Sequence, residues 1–352
     1  MQYPKWVVLQ VTDRCNLRCK MCYEWGENGS NLSKRHLNNL DLNKIEEIFM
    51  ELQNKNVYFE LFGGEPLMHP QISEILKLIK KYNCIIDIPT NGTLVSKYAK
   101  EIVDANIKRI WISIDGPQEQ NDLQRGKGVY QRAYEGIKAL QKERAINKKG
   151  PQIGVTMVIT PLNYKYVKEF VCYELIPLNL DYISLEFQLY LTEERYLKHC
   201  EYLKNTFCFN DNSVSQGLVR NLDDFANIDI EDLVEQLKYV KNAISDTNIK
   251  LIGYPNYIEK DNLCKFYTGN WDEMKEYKNT CPFPWTYMEI AANGDVTPCH
   301  TFYDFKIGNV YENSIAEIWN SKEYKKFRQK IKKGLPPVCC ACSRYYTDKG
   351  EK

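Results

Sequence analysis

Three cysteines fall within one short segment, Cys15-Asn-Leu-Arg-Cys19-Lys-Met-Cys22, spaced C-x3-C-x2-C and placed directly behind an apolar run at Trp6–Val11. Three thiolates on one loop can hold three irons of a [4Fe–4S] cluster and leave the fourth iron without a protein ligand. Such an open iron can be coordinated by a small molecule, which a four-cysteine site would forbid. Zinc is the rival metal for this loop, but zinc sites usually combine two C-x2-C pairs or add histidines. The chain has only four histidines, none near this loop.

The total of 13 cysteines is odd, and no export signal precedes them. Met1–Trp6 has no charged-then-apolar pattern, and no run reaches the roughly 18 apolar residues of a membrane span. The expected location is therefore cytoplasmic, where clustered cysteines serve as metal ligands or catalytic groups rather than disulfides. Lysine plus arginine (47) nearly balances aspartate plus glutamate (46), so no overall field draws the chain to nucleic acid or an anionic membrane.

Short runs rich in Val, Ile, Phe and Tyr at Trp6–Val11, Val57–Phe62, Cys84–Pro89, Arg109–Ile114, Gly154–Thr160 and Tyr182–Leu189 read as buried strands. Between them, Leu42–Lys55, Ile72–Tyr82, Val95–Ala105 and Val129–Glu143 have helical spacing. Strands alternating with helices imply parallel strands with helices packed outside. The fold class is therefore α/β, a partial (β/α)6 TIM-like barrel, with a doubly wound open sheet as the alternative. Glu193–Asn205 and Ile230–Ile244 read as helices, and Asn210–Ser215 as a loop. The domain plan is a core over 1–210, a linking region over 211–262 and a small cysteine-rich C-terminal domain over 263–352.

Phe62-Gly63-Gly64-Glu65-Pro66 closes the second expected strand. The glycines permit close backbone approach to a ligand, and Glu65 can accept hydrogen bonds from an ammonium. Thr90-Asn91-Gly92 and Ser113-Ile114-Asp115-Gly116 end the third and fourth strands at the same face, although Asn-Gly and Asp-Gly are also ordinary turn formers. Arg125-Gly126 follows in an expected loop.

The C-x3-C-x2-C loop after a first strand resembles the signature of the radical S-adenosylmethionine (SAM) superfamily, over about the first 190 residues. The resemblance implies that Cys15, Cys19 and Cys22 hold a cluster whose open iron binds SAM. It also implies reductive cleavage to a 5′-deoxyadenosyl radical, with hydrogen abstraction from a substrate C–H bond. Tyr23 then lies near adenine, Gly63, Gly64, Glu65 and Pro66 match the segment that binds the SAM amine, and Ser113 matches a ribose contact. Asn91 and Asp115 are further candidates, and Arg125 is placed to pair with the SAM carboxylate or to remain solvated. No copy of the family's later glycine-rich ribose motif is visible in the fifth strand.

Cys281 and Cys299 flank an expected hairpin with its turn at Asn293-Gly294, and Cys339 and Cys342 form a C-x2-C pair. Four thiolates can close a second cluster; a structural zinc site is the rival. C-x12-G-x4-C over Cys281, Gly294 and Cys299, then Ile307-Gly308-Asn309-Val310 and Ile318-Trp319-Asn320, resemble the SPASM/twitch extension of radical SAM enzymes. The absence of further cysteines after Cys342 favours the one-cluster twitch form. Cys264 and Cys340 remain open as alternative ligands.

The resemblance implies a radical SAM oxidoreductase or maturase with an auxiliary cluster, fed by an external one-electron reductant such as flavodoxin or ferredoxin. Its substrate is a peptide or protein to be crosslinked, oxidised or epimerised, or else a small polar molecule such as a sugar or aminocyclitol. The first strand at Trp6 leaves no room for an N-terminal peptide-recognition domain, which weighs against the peptide reading without removing it, because recognition can come from a separate protein. A non-catalytic iron–sulfur or zinc protein is the reading from another class. No catalytic hydrogen donor can be chosen among Cys84, Cys172, Cys200, Cys208 and Cys264.

Overall fold

The computed structural model describes residues 2–32, 34, 36–209, 214–254, 259–274, 281–302 and 305–342. Among the described residues seven parallel strands run in chain order: β1 (Trp6–Thr12), β2 (Tyr58–Gly63), β3 (Ile85–Thr90), β4 (Arg109–Ser113), β5 (Gln152–Ile159), β6 (Tyr182–Phe187) and β7 (Lys250–Tyr254). Helices α1 (Leu42–Leu52), α2 (Ile72–Tyr82), α3 (Val95–Asp104), α4 (Gln118–Arg125) and α5 (Val129–Asn147) lie between the early strands. A doubly wound sheet reverses its strand order at a switch point. Here β1 to β7 neighbour one another without reversal, as a partial TIM-like barrel requires.

The alternation along β1 explains the packing. Val7, Leu9 and Val11 join the core formed with Ile45, Ile48 and Phe49 of α1, so the intervening Val8, Gln10 and Thr12 turn to the inner face. At the N-terminal end of the strands, Arg109 plugs that inner face. Its Nε donates to Asp87 Oδ2 at 2.8 Å and its Nη2 to the Tyr58 hydroxyl at 2.8 Å. The opposite rim, at the strands' C-terminal ends, carries the loops of interest.

Three differences from the sequence expectation bear on the site. β7 extends the six expected strands by one, beyond β6. Arg125 closes helix α4 rather than lying in a loop, and of the expected loop at Asn210–Ser215, residues 210–213 lie outside the described residues. The third difference is the placement of the C-terminal hairpin, β8 (Tyr287–Ile290) with β9 (Asp295–Thr297), whose turn falls at Asn293-Gly294 as expected. β8 pairs in parallel with β1, Trp6 opposite Tyr287 and Leu9 opposite Ile290. The cysteine-rich region thereby extends the barrel sheet itself, and β10 (Gly308–Asn309) adds an outer strand to β9. Ile318 packs on Gly308, so the two apolar segments expected in this region meet at the hairpin. No helix among the described residues is long and apolar enough to cross a membrane.

Candidate active site between two cysteine clusters

The first cysteine loop leaves β1 and folds back on itself. Cys22 N donates to the Cys19 carbonyl at 3.0 Å, and Gly26 N to the Cys22 carbonyl at 3.0 Å. Two backbone donors point at sulfur: Leu17 N to Cys15 Sγ (3.5 Å) and Trp25 N to Cys22 Sγ (3.3 Å). Burial pushes the Cys15 thiol up to about 12 and Cys19 to about 11; Cys22 is also raised by burial. Cys19 and Cys22 add to the rise at Cys15, and Cys22 to that at Cys19, so the three sulfurs share one site. They do not converge on a point: among the described residues no three Cys, His, Asp or Glu side chains are gathered tightly enough for a single ion. A set in which each thiolate takes its own iron does not need such convergence, and buried thiols that resist ionisation in isolation are suited to release their protons to a metal. The residues present thus fit a three-cysteine [4Fe–4S] site.

The glycines of the second loop are required by contact with this loop. Gly63 has φ +141°, and a Cβ there would run into the Thr12 carbonyl; one on Gly64 would run into the Arg14 carbonyl. In their absence Gly64 N reaches the Thr12 carbonyl at 2.9 Å and Glu65 N the Arg14 carbonyl at 2.7 Å. Glu65 is thereby drawn under the rim, 1% exposed. Its carboxylate accepts from Thr90 Oγ1 (2.7 Å), Leu67 N (3.1 Å) and Asn91 N (2.7 Å). Burial nevertheless pushes this carboxyl up to about 7. Pro66 opens the short turn that follows. Asn91 Nδ2 donates to Asn16 Oδ1 at 2.8 Å, tying the third strand's end to the cysteine loop.

Asp115 and Arg125 occupy the next sector. Asp115 is fully buried and accepts from Arg125 Nε, Gln124 Nε2 and Val158 N, at 2.6, 2.7 and 2.8 Å. Arg125 is buried with it, and its charge acts on Cys19 and Cys22. Asp115 is thus committed to protein partners, and Arg125 lies against the cysteine loop rather than in solvent. Ser113 is half-buried on the inner face opposite Thr156.

Cys281, Cys299, Cys339 and Cys342 form the second set. All four are electrostatically coupled to one another, and burial raises Cys281 to about 12 and drives Cys299 and Cys339 higher. The hairpin brings Cys299 beside Tyr287, while Pro337–Ala341 presents Cys339. Cys340 turns the other way, its Sγ donating to the Pro337 carbonyl at 3.0 Å. Cys264 sits in the separate helix Lys260–Tyr267 and is not among the groups acting on the four thiols. Four half-buried, mutually coupled thiols fit a closed second cluster.

The junction between the two sets was not visible in the sequence. His300, next to Cys299, packs edge-on to Tyr23 and to Phe62, with ring centroids 5.4 Å apart in both cases. Its Nδ1 lies 3.0 Å from Glu289 Oε1; Glu289 is fully buried and also accepts from Gln10 Nε2 and the Tyr287 hydroxyl, both at 2.7 Å. Glu289 interrupts the apolar run Tyr-Met-Glu-Ile, which was the one available signal. Arg220 was also missed. It is bound to the carbonyls of Gly217 and Val219, and it is near enough to Cys22 to feel its charge.

A family model described as the radical SAM superfamily matches residues 9–173, and one described as an iron–sulfur cluster-binding domain (SPASM) matches residues 281–343. The chain is 31% identical to the tungsten-containing aldehyde ferredoxin oxidoreductase cofactor-modifying protein of Pyrococcus furiosus, over 96% of this chain and 87% of that protein. It is 26% identical to the serine-type anaerobic sulfatase-maturating enzyme of Bacteroides thetaiotaomicron, over 96% and 79%. Among solved structures, Streptococcus suis SuiB bound to S-adenosylmethionine superposes with a TM-score of 0.64 at 17% identity, covering 97% of this chain and 72% of that one. The chain belongs to the radical SAM superfamily and carries a C-terminal SPASM domain. It is accordingly an enzyme that uses SAM, a SAM-binding [4Fe–4S] cluster and auxiliary iron–sulfur chemistry.

Proposed function

We propose that this enzyme is a maturase that modifies a peptide or protein target by abstracting hydrogen from one of its C–H bonds. The observation that carries the reading is the pairing of β8 with β1, which sets both thiol groups on one barrel wall with His300 between them. Cys15, Cys19 and Cys22 would hold the cluster, which with SAM would supply a 5′-deoxyadenosyl radical. The chain's own residues bind and orient: Glu65 receives the SAM ammonium, Gly63 and Gly64 let its loop close on the cysteine loop, and Tyr23 flanks the adenine. Arg125 and Arg220 place positive charge beside the same loop, where a carboxylate would be held. Cys281, Cys299, Cys339 and Cys342 hold the auxiliary cluster.

The protein target is supported by the roles of the two near-full-length relatives, one maturing sulfatases and one modifying the cofactor of an oxidoreductase. The higher identity to the second supports a narrower reading in which the modified group is a cofactor carried by the target enzyme.

Anaerobic incubation of the reconstituted enzyme with SAM and dithionite tests the proposal. Wild type should form 5′-deoxyadenosine, Cys19→Ala should form none, and Cys299→Ala should retain cleavage but yield no modified target. A Cys299→Ala enzyme with normal product formation would remove the auxiliary site from the reaction.

A further inference from the structure

The helix Lys322–Lys333 reads Lys-Glu-Tyr-Lys-Lys-Phe-Arg-Gln-Lys-Ile-Lys-Lys and holds seven cations and one acid, in a chain whose formal net charge is +1. Its apolar stripe is spent: Tyr324, Phe327 and Ile331 are buried at 0, 2 and 4% exposure. Arg328 is spent too, donating to the carbonyls of Pro284 and Trp319 at 2.7 and 2.9 Å. Lys322, Lys325, Lys326, Lys332 and Lys333 are exposed and Lys330 is half-exposed.

Several helical lysines elsewhere in the molecule are neutralised locally. Lys44, Lys77, Lys198 and Lys265 each pair with an acid three or four residues away. Among the described residues none of the six lysines of this helix forms an ion pair. Several are instead three or four residues from one another, which costs helix stability. A face that carries this cost without internal relief is complementary to an acidic surface from outside.

Its position is specific. The helix packs against Phe283–Trp285, two residues after Cys281, and its chain runs on to Cys339. Trp285, 38% exposed, lies at the edge of the face, with Lys332 Nζ 5.6 Å from its ring. Tryptophan is among the residue types enriched in docking hot spots, and the cations around it would steer an acidic partner to it. A membrane is a poor occupant, because surface helices bind lipid through an apolar face and that face is buried here.

We propose that this lysine face, with Trp285 at its edge, docks an acidic one-electron carrier protein and connects it to the auxiliary cluster. The carrier gives up one electron and the auxiliary cluster takes it up; no bond is made or broken. This rests on the reading that Cys281, Cys299, Cys339 and Cys342 hold that cluster.

The experiment uses anaerobically reconstituted holoenzyme with reduced flavodoxin as the probe. In wild type, cluster reduction by flavodoxin should slow as salt rises. In the triple variant Lys322→Glu/Lys326→Glu/Lys333→Glu it should fall about tenfold or more and lose its salt dependence, with iron content and dithionite-driven SAM cleavage unchanged. The corresponding Lys→Arg triple variant should behave as wild type, and Trp285→Ala should weaken flavodoxin binding without changing the salt slope. Unchanged reduction by flavodoxin in the charge-reversed variant would overturn the proposal. So would loss of target peptide or nucleic acid binding with flavodoxin reduction intact, since the face would then serve that ligand. If wild type makes no 5′-deoxyadenosine even with dithionite, the enzymatic reading fails, while flavodoxin binding and cluster reduction still decide the docking face.

Discussion

Asp115 and Arg125 form an ion pair sealed in the barrel wall, Nε to Oδ2 at 2.6 Å with side chains 0 and 8% exposed, and the guanidinium acts against the burial that raises Cys19. Removing one partner of a buried pair leaves an uncompensated charge, at a cost of about 3–5 kcal/mol. Arg125→Leu should therefore lower unfolding stability by that order in urea titrations. It should also reduce iron bound at the first site, because Cys19 loses the cation favouring its thiolate, while iron bound through Cys281–Cys342 is kept. Equal iron at the first site in variant and wild type would show that Arg125 serves the fold alone.

Glu65 offers a test by pH. Its carboxyl is pushed up to about 7 by burial, against the hydrogen bonds from Asn91, Thr90 and Leu67 that favour its charge. As the seat of an ammonium it is effective only when ionised. With an ionisation midpoint near 7, the ionised fraction falls about tenfold between pH 8 and pH 6, and SAM affinity measured by equilibrium dialysis should fall with it. Glu65→Gln should bind weakly at pH 8 and lose this slope. The folded-state value lies above the unfolded one, so the ionised group costs stability as pH rises from about 4.5 to 7. Glu65→Gln should accordingly be no less stable than wild type at pH 8, which separates lost binding from lost fold.

The elements that could be read from sequence are those whose information is local. α2 falls at Ile72–Tyr82 as its spacing predicts, because Ile72, Ile75, Leu76 and Ile79 make one apolar stripe. The first thiol loop needs only eight consecutive residues. Helix α4 gives no such stripe, since the residues it buries are Asn121, Gln124 and Arg125; polar burial there builds the Asp115 site and erases the periodic signal. β7 is five residues with Gly253 inside it, too short and too weak in β-propensity to stand out. The Gln10–Glu289 contact spans 279 positions in sequence, and only the β1–β8 pairing brings its partners together. Glycine spacing suggested a ligand approach at Gly63 and Gly64; the structure shows that they first accommodate the backbone of Thr12 and Arg14.

The sequence favours Cys339 through its C-x2-C pair with Cys342 and keeps the adjacent Cys340 as an alternative, and the two diverge in the structure. Cys339 is coupled first to Cys299, then to Cys281, Cys342 and its neighbour Cys340, whereas Cys340 is not among the groups acting on Cys281 or Cys299, is 4% exposed and is bonded to the Pro337 carbonyl. Cys339→Ser should cut the iron and sulfide bound at the auxiliary site and alter its electron paramagnetic resonance signal. Cys340→Ser should retain both, since a hydroxyl can keep the bond to Pro337. Auxiliary iron that survives Cys339→Ser and vanishes in Cys340→Ser would reverse the assignment.

His199 lies on the helix Glu193–Phe207, fully buried and edge-on to Phe302 at 5.6 Å, and neither ring nitrogen has a hydrogen-bond partner. Burial alone lowers it to about 4 from an ordinary value of 6.5. The neutral ring is the form the fold accepts, so its stability is intact above about pH 6.5 and is lost as pH falls towards 4, by up to about 3 kcal/mol. Wild type should show this loss in urea midpoints taken between pH 7 and pH 5. His199→Leu removes both the titration and the unpartnered nitrogens, the latter worth about 1–3 kcal/mol. The variant should be at least as stable as wild type at pH 7, and its advantage should widen as the pH is lowered. An advantage that stays constant with pH would mean that the imidazole is protonated as readily in the folded protein as in the unfolded chain, and that Phe302 and its neighbours do not exclude water from it.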